Sequence, residues 1–198
     1  MKTETSLDDL IYFLSKLPGL GPRSAQRMVL FLLKKKETHF EPLKGLMDAV
    51  LSEMKVCPLC GNYDVITPCH ICQDTKRSQT TLCVVPDVSD IWALERSPIY
   101  HGQYFALGGL LSALDGITPE NLNIQKLKNR LDSSPIEEVI FALPLTVDGQ
   151  TTLHYLIESL KTYPVKLTTL AHGMPVGGEL DFQDEGTIQT AFKARTEL

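Results

Sequence analysis

The sequence contains two pairs of cysteines with the same internal spacing. The four residues are Cys57, Cys60, Cys69 and Cys72. Two C-x2-C pairs separated by a short segment have the spacing at which four thiolates close around one zinc ion. Pro58, Gly61 and Pro68 supply the turn residues that such a site needs. Four sulfur ligands leave no coordination position for water, so the sequence predicts one structural zinc ion per chain, bound by these four cysteines.

Two disulfides, or two redox-active pairs, are the alternative interpretations of these cysteines. The sequence shows no signal peptide and no apolar run long enough to cross a membrane. We therefore expect a cytoplasmic protein without a membrane partner, whose thiols stay reduced, and this favours zinc. His70 lies inside the second pair and could replace a cysteine, but four sulfurs already complete the site, so we expect it to be exposed. Cys83 lies in an apolar run and is predicted to be a buried, inert thiol.

A second chemical pattern occupies residues 17–27, between two helical stripes. Gly19 and Gly21 flank one apolar residue, so the backbone can turn sharply and present free N–H groups at a helix N-terminus, where an anion is favoured. Arg23 and Arg27 lie four residues apart, opposite the apolar stripe, and could reach consecutive phosphates. The plainer alternative is a helix connector with two solvated arginines. The whole string is more specific, since it is similar to the helix-hairpin-helix element that binds the DNA backbone without reading its sequence.

Apolar periodicity divides the chain into a helical first segment and a longer part in which strands alternate with helices. In the first segment Ser6 with Asp9 resembles a capping box. The third helical stripe consists of Leu43, Leu46, Met47, Val50, Leu51 and Met54. Strands are predicted over 81–85, 103–107, 138–143 and 165–171, and helices over 87–95, 119–132, 151–161 and 185–195. This order, with strands apolar on both faces, predicts a mostly parallel sheet covered by helices.

The charge is distributed unevenly along the 198 residues, whose net charge is −5. Residues 1–56 hold nine Lys and Arg against seven Asp and Glu, whereas residues 81–198 hold eight against fifteen. A net negative charge argues against a nucleic-acid partner. The distribution instead predicts that any polyanion binds at the N-terminal end.

Four segments carry a resemblance to a known family. They are the hairpin string at 17–27, the cysteines at 57–72, Leu-Gly-Gly-Leu-Leu-Ser-Ala-Leu-Asp-Gly-Ile at 107–117 and Gly-Met-Pro-Val-Gly-Gly at 173–178. In this order they resemble the RecR family of bacterial recombination mediators over nearly the whole chain. The resemblance implies four parts: a helix-hairpin-helix DNA-binding segment over 1–56, a four-cysteine zinc module over 57–80, a Toprim-like domain over 81–172, and a C-terminal helical arm for assembly over 173–198.

The resemblance also implies a function. Family members are expected to form a ring-like homotetramer, or a dimer, that binds DNA through its backbone. They are expected to act with RecO, and in some lineages RecF, to load the recombinase RecA on gapped DNA coated by single-strand-binding protein. Gly19, Gly21, Arg23 and Arg27 are the residues that would hold DNA.

The Toprim resemblance raises the alternative of an enzyme. Active Toprim enzymes use a glutamate after the first strand and an Asp-x-Asp pair after a later strand for magnesium-dependent chemistry. Here the glutamate position is Pro86, with Asp87 displaced by one residue, and the later pair is Asp148 and Gln150. Too few carboxylates remain for magnesium chemistry, so no catalytic residue is predicted, and a metal-linked or partner-binding role of these degenerate positions is in doubt.

Three classes of function therefore compete. The leading one is a non-enzymatic, DNA-binding mediator of recombination and repair. The others are a Toprim nuclease or topoisomerase, and a zinc-stabilised adaptor that does not contact DNA. Binding to gapped DNA separates the adaptor from the mediator, and cleavage or relaxation of supercoiled DNA separates the enzyme from both.

Overall fold

The computed structural model describes residues 5–97, 99–171, 173, 177 and 179–194. The chain divides into two compact units, Met1–Met54 and Lys55–Leu198, which are described separately below.

The N-terminal unit is helical. Its elements are α1 (Ser6–Leu14), α2 (Pro22–Lys34), a π-helical turn (Lys36–Phe40) and α3 (Glu41–Glu53). The predicted capping box at Ser6 and Asp9 is wrong by one residue. Thr5 has the extended backbone of a capping residue, and its hydroxyl accepts a hydrogen bond from the Asp8 amide at 3.3 Å. Ser6 is already the first residue of the helix, so its own hydroxyl is not in the capping position.

The buried core of this unit is small. Its buried side chains are Leu14, Ala25 and Val29, with Leu10, Ile11 and Met28 packed around them. The predicted third stripe is present on α3 but remains exposed: Leu46, Met47, Val50 and Leu51 are all more than half exposed. The helical period in the sequence therefore predicts the helix correctly, but the apolar face that it creates is not covered within the described part of this unit.

The second unit begins with the cysteine module, residues 57–80. A short antiparallel ribbon, β1 (Lys55–Val56) and β2 (Tyr63–Asp64), brackets the first cysteine pair, and the one-turn helix α4 (His70–Gln73) carries the last cysteine. Backbone and side-chain contacts join the module to the sheet that follows. The Ala106 amide donates to the Cys60 carbonyl at 2.8 Å, and the Trp92 indole N–H donates to the Asn62 side chain at 2.9 Å.

The main sheet has four strands in the order β4-β3-β5-β6, and all three pairings are parallel. The strands are β3 (Thr81–Val85), β4 (Gln103–Ala106), β5 (Glu138–Phe141) and β6 (Lys166–Thr169). The helices around them are α5 (Val88–Glu95), α6 (Ile124–Asp132) and α7 (Val147–Leu160), with a 3-10 turn at Pro119–Asn121. This confirms the predicted parallel sheet. Consecutive parallel strands need crossover connections, and the helices provide them.

Helices cover both faces of the sheet. On one face, Leu127 of α6 and Leu156 of α7 pack into a core with Leu82 and Phe141, and all four are almost fully buried. On the other face, Ile91 of α5 packs against Val85, Tyr104 and Cys83. The strands are apolar on both faces because both faces are buried.

Two helices do not start where the sequence-based prediction placed them. The helix predicted over 119–132 is a 3-10 turn (Pro119–Asn121) followed by α6, which begins at Ile124. α7 begins at Val147, four residues before the predicted start, because the Thr146 side chain caps it by accepting from the Gly149 amide at 3.2 Å. Gly149 inside the first turn weakened the helical signal in the sequence. The structure requires this glycine, since a Cβ there would lie 2.0 Å from the Pro144 carbonyl oxygen.

The C-terminal segment contains a 3-10 turn (Leu180–Phe182) and α8 (Glu185–Lys193), whose capping residue Asp184 accepts from the Thr187 amide at 3.0 Å. The last predicted helix is therefore confirmed over 185–193, but it ends before the predicted residue 195, because Ala194 is its C-cap. Most of the motif at 173–178 lies outside the described residues. No helix in the described ranges is long and apolar enough to cross a membrane.

Candidate metal centre and nucleic-acid interface

The structure brings the four predicted cysteines together. The Sγ atoms of Cys57, Cys60, Cys69 and Cys72 all lie within 4.8 Å of one another. The Cys60 and Cys69 sulfurs are 3.5 Å apart, and the Cys57 and Cys72 sulfurs are 3.9 Å apart. Sulfurs at the corners of a tetrahedron around zinc, with zinc–sulfur bonds of about 2.3 Å, are separated by about 3.8 Å. The four-cysteine cluster therefore has the size of a tetrahedral metal site.

Local backbone geometry fixes the first cysteine pair. The Gly61 amide donates to the Cys57 carbonyl at 2.9 Å, and the Cys57 amide donates to the Asn62 carbonyl at 2.7 Å, which closes a tight turn. Gly61 has φ +82°, a left-handed conformation that glycine adopts without strain. Backbone N–H groups also point at the sulfurs: the Asn62 amide lies 3.4 Å from Cys60 Sγ. Such donors stabilise thiolates.

The cysteines are not paired as disulfides. All five are free, and three of the four in the cluster are fully buried. The hydrogen bond between the Cys60 and Cys69 thiols raises the pKa of Cys60 and lowers that of Cys69. Cys83 lies apart, inside the sheet core, and burial raises its pKa to about 12. This confirms the prediction of a buried thiol that stays protonated at neutral pH.

His70 is not a ligand in this arrangement. Its side chain is exposed, as predicted, and its Nδ1 lies 2.8 Å from a carboxylate oxygen of Asp64. The His70 amide donates to the same carboxylate, and this bond is the main cause of the lowered pKa of Asp64. Asp64 thus ties the second cysteine pair to strand β2.

A half-buried charged network fastens the end of the cysteine module to the sheet. The Arg77 guanidinium forms an ion pair with Glu95 on α5 and donates to the Gly102 carbonyl at 3.2 Å. The Tyr104 hydroxyl donates to the other oxygen of Glu95 at 2.7 Å. None of these residues belongs to a motif that the sequence predicted to have a role. Their separation along the chain leaves no local spacing that could have indicated the network.

The Gly-Pro turn has the predicted geometry. Gly19 has φ +77°, and the Leu20 amide donates to the Leu17 carbonyl at 3.1 Å. Gly21 is the capping residue of α2, and Pro22 occupies its first position, where a missing N–H costs little. The first turn of α2 carries no acidic residue and no side-chain cap, so its amides remain available to an anion.

Arg23 and Arg27 are both exposed on α2, and Ala25 and Val29 on the same helix are fully buried. The two arginines therefore lie on the solvent face of the helix that begins at the glycine turn. Neither forms an ion pair within the described ranges. The arrangement can present two guanidinium groups and free backbone amides to one polyanion.

The degenerate Toprim positions have structural partners. The Pro86 carbonyl accepts hydrogen bonds from the Gly108 and Gly109 amides at 2.9 and 3.0 Å. Asp87 caps α5 in a reciprocal capping box with Asp90. Asp148 lies in the first turn of α7, and its carbonyl accepts from the Thr152 hydroxyl. Within the described residues, the four cysteines are the only group of three or more potential metal ligands.

A helix-hairpin-helix segment, a four-cysteine centre and a Toprim-type sheet on one chain define a class of multi-module DNA recombination proteins. Three family models match: RecR, helix-hairpin-helix, over residues 7–51; Toprim domain, over residues 80–171; and RecR, C-terminal, over residues 173–196. The recombination protein RecR of Sphingopyxis alaskensis is 51% identical over 191 residues, 96% of each chain. That of Bartonella quintana is 50% identical over 192 residues, 97% of this chain and 96% of the relative. The chain belongs to the RecR family of recombination proteins.

Proposed function

We propose that this protein is a non-catalytic DNA-binding mediator of recombination and repair. The observation that carries the proposal is the glycine turn before α2, from which free amides and the exposed Arg23 and Arg27 extend on the face opposite the buried Ala25 and Val29. Membership of a family of recombination proteins supports DNA as the polyanion.

DNA is held through its backbone. The space beside Gly19 and Gly21, where a Cβ would otherwise project, is open. Because glycine has no side chain, a phosphate can use this space and approach the backbone closely. Arg23 and Arg27 contact neighbouring phosphates. None of these groups reads a base edge, so binding has no sequence preference.

The four-cysteine cluster holds one structural zinc ion. All four potential ligand atoms are sulfurs, and their separations match those of a tetrahedral zinc site. Backbone amides donate hydrogen bonds to the sulfurs of Cys60 and Cys57. The zinc ion, when bound, supplies folding energy to the cysteine module and takes no part in a reaction.

The protein assembles with copies of itself, as a homotetrameric ring or a dimer. Support comes from the N-terminal unit, whose three buried side chains form too small a core for its apolar surface. Phe13, Leu43 and Met47 line an apolar groove of about 300 Å³, and Leu51 is 85% exposed. A neighbouring copy that covers this surface would complete the core. Ring assembly would also bring several weak DNA contacts together on one strand.

The functional partners we propose are RecO, and possibly RecF, with which the protein loads RecA on gapped DNA coated by single-strand-binding protein. The acidic balance of residues 81–198 suits a basic protein partner on the sheet unit. Asp87 caps α5, Asp148 lies in the first turn of α7, and we assign neither a catalytic role. Support for the absence of strand cleavage comes from Pro86 and Gln150, which stand where magnesium chemistry needs carboxylates.

The proposal is tested by measuring solution mass and DNA binding together. Sedimentation of the purified protein, alone and with gapped DNA and RecO, is expected to show a dimer or tetramer that binds both partners. A monomer at every concentration, including with DNA, would rule out the ring. Incubation with supercoiled DNA and magnesium is expected to leave the DNA intact. Nicking or relaxation that Asp148→Asn abolishes would restore the enzyme hypothesis.

A further inference from the structure

A cleft of about 540 Å³ lies in the sheet unit at the carboxyl ends of β3 and β4. In parallel sheets this is the edge where ligands bind, and the volume is in the range of about 300–1,000 Å³ that small-ligand sites occupy. The cleft is lined by Val56 and Tyr63 of the β1–β2 ribbon, by Ala106 at the end of β4 and by Lys126 of α6. The residues of the ribbon and of α6 that line this cleft take no part in the proposed backbone contact at the glycine turn.

The ribbon presents an exposed aromatic platform to this cleft. Val56 and Tyr63 are directly opposite each other in the antiparallel pair, so both side chains stand on the same face. Val56 is 59% exposed and Tyr63 is 50% exposed, although both line the cleft. The Tyr63 hydroxyl has no hydrogen-bond partner within the described ranges. Exposed aromatic rings beside apolar side chains are the surfaces on which nucleic-acid bases stack.

Helix α6 contributes a cation to the lining of the cleft. Lys126, on the first turn of α6, is exposed and forms no ion pair with any described residue. Asn123 precedes the same helix and is half-buried, with its amide nitrogen 3.4 Å from the Ala106 carbonyl oxygen. Because Lys126 has no ion-pair partner among the described residues, it can bind a phosphate without breaking an existing ion pair.

The remaining polar group is Asp87, at the end of β3. One of its carboxylate oxygens accepts from the Val88 amide, and a carboxylate can only accept hydrogen bonds. Asp87 can therefore accept a hydrogen bond from an exocyclic amino group of a base, whereas its negative charge repels a phosphate. The cleft thus offers an aromatic surface, a base acceptor and a cation, which is the chemistry of a nucleotide.

We propose that this cleft binds one nucleotide of a single DNA strand, with its base against Tyr63 and Val56 and its phosphate at Lys126. The inference rests on the proposed function, since it takes DNA as the ligand, and it adds a second kind of contact. The helix-hairpin-helix arginines hold the DNA backbone in general, whereas the cleft accepts only an unpaired base. Gapped DNA contains both features.

The test compares a fluorescent single-stranded oligonucleotide with a blunt duplex of the same length. Tyr63→Ala is expected to weaken single-strand binding at least fivefold, because stacking of one base on an aromatic ring contributes about 1–3 kcal/mol. Duplex binding should stay unchanged. Tyr63→Phe retains the stacking ring and should bind like the parent. Lys126→Ala should lower the slope of log affinity against log salt for the single strand by about 0.7.

Two matched controls and one direct probe complete the experiment. Tyr155→Ala removes a partly exposed tyrosine from α7, outside the cleft, and Lys128→Ala removes a cation from α6 outside the cleft lining. Neither should alter single-strand binding. An oligonucleotide carrying 5-iodouracil should cross-link under light to the peptide that contains Tyr63. Zinc content of each variant shows whether the cysteine module is intact, and Lys126→Ala carries the test if Tyr63→Ala loses zinc.

The inference is overturned if Tyr63→Ala and Lys126→Ala, with zinc retained, bind the single strand like their controls, or if the cross-link maps elsewhere. Those results leave the proposed function standing as long as the parent binds duplex or gapped DNA. A parent protein that binds no DNA at all would instead contradict the proposed function.

Discussion

The two units of this chain differ in how completely they bury their apolar side chains. The sheet unit has a continuous core on each face of β3–β4–β5, formed by side chains such as Leu82, Phe141 and Leu156 that are almost fully buried. The helical unit buries only three apolar side chains and leaves much of α3 exposed. The sheet unit can therefore be stable by its own packing, whereas the surface of the helical unit is available for binding. Substitutions in the two units should have different kinds of effect, on stability in one and on association in the other.

The largest effect is expected for loss of one cysteine of the proposed zinc site in the sheet unit. Cys60→Ser should abolish zinc binding and unfold the cysteine module, because metal binding at such sites supplies on the order of 10 kcal/mol of folding energy. Elemental analysis and chemical denaturation measure both results. Cys83→Ser, in the sheet core, is the matched control and should retain one zinc ion per chain. Equal zinc content in the two variants would contradict the assignment.

A second pair of substitutions compares the two apolar surfaces directly. Leu156→Ala removes a fully buried side chain from the sheet core and should lower the free energy of unfolding by about 2–5 kcal/mol. Leu51→Ala removes a side chain that is 85% exposed, so the stability of an isolated chain should change little, within about 0.5 kcal/mol. Its effect should appear as weaker self-association in sedimentation. If Leu51→Ala leaves association unchanged, this part of α3 is not the assembly surface.

A third change tests DNA binding by the helical unit. The double substitution Arg23→Ala/Arg27→Ala should leave zinc content, assembly and unfolding unchanged, since both side chains are exposed and form no ion pair with the residues that the structure describes. Affinity for gapped DNA should fall well beyond twofold, and the slope of log affinity against log salt should decrease by about 0.9 for each lost phosphate contact. Binding measured across a salt series checks this. A folded double variant with unchanged affinity and salt dependence would place the DNA site elsewhere.

The smallest expected effect concerns the buried thiol of the sheet unit. Burial raises the pKa of Cys83 from 9.0 to about 12, so the folded chain keeps this proton where the unfolded chain releases it. The stabilising contribution is complete below pH 9 and is lost as the pH rises towards 12, by up to about 1.4 kcal/mol per pH unit. Comparison with Cys83→Ala isolates this thiol from the zinc cysteines. The difference in unfolding free energy between the two proteins should shrink between pH 9 and pH 10, and a constant difference would contradict the buried pKa.

The spacing of residues close together in the sequence predicted much of this structure. The C-x2-C pairs predicted the four-cysteine cluster, and the alternation of strands and helices predicted the parallel sheet, because both depend on residues close together in the chain. Boundaries were less accurate where capping decided them. Thr5, and not Ser6, caps α1. Thr146 caps α7, so this helix begins before Gly149, the residue that weakened the helical pattern in the sequence. The Arg77, Glu95 and Tyr104 network could not be predicted, since it joins three elements that meet only in the fold.

The sequence by itself determined which residues could perform chemistry: four thiols at zinc spacing, two arginines after a glycine turn, and a Toprim pattern that lacks its carboxylates at Pro86 and Gln150. Tertiary structure decided which apolar surfaces are buried and which are free. The stripe on α3 and the pair Val56 and Tyr63 are ordinary apolar residues in the sequence, yet each remains exposed in the fold. Whether a face is buried depends on which elements pack against it, and those elements can be distant in the chain. The spacing of the cysteines, by contrast, depends only on the local geometry of a short segment.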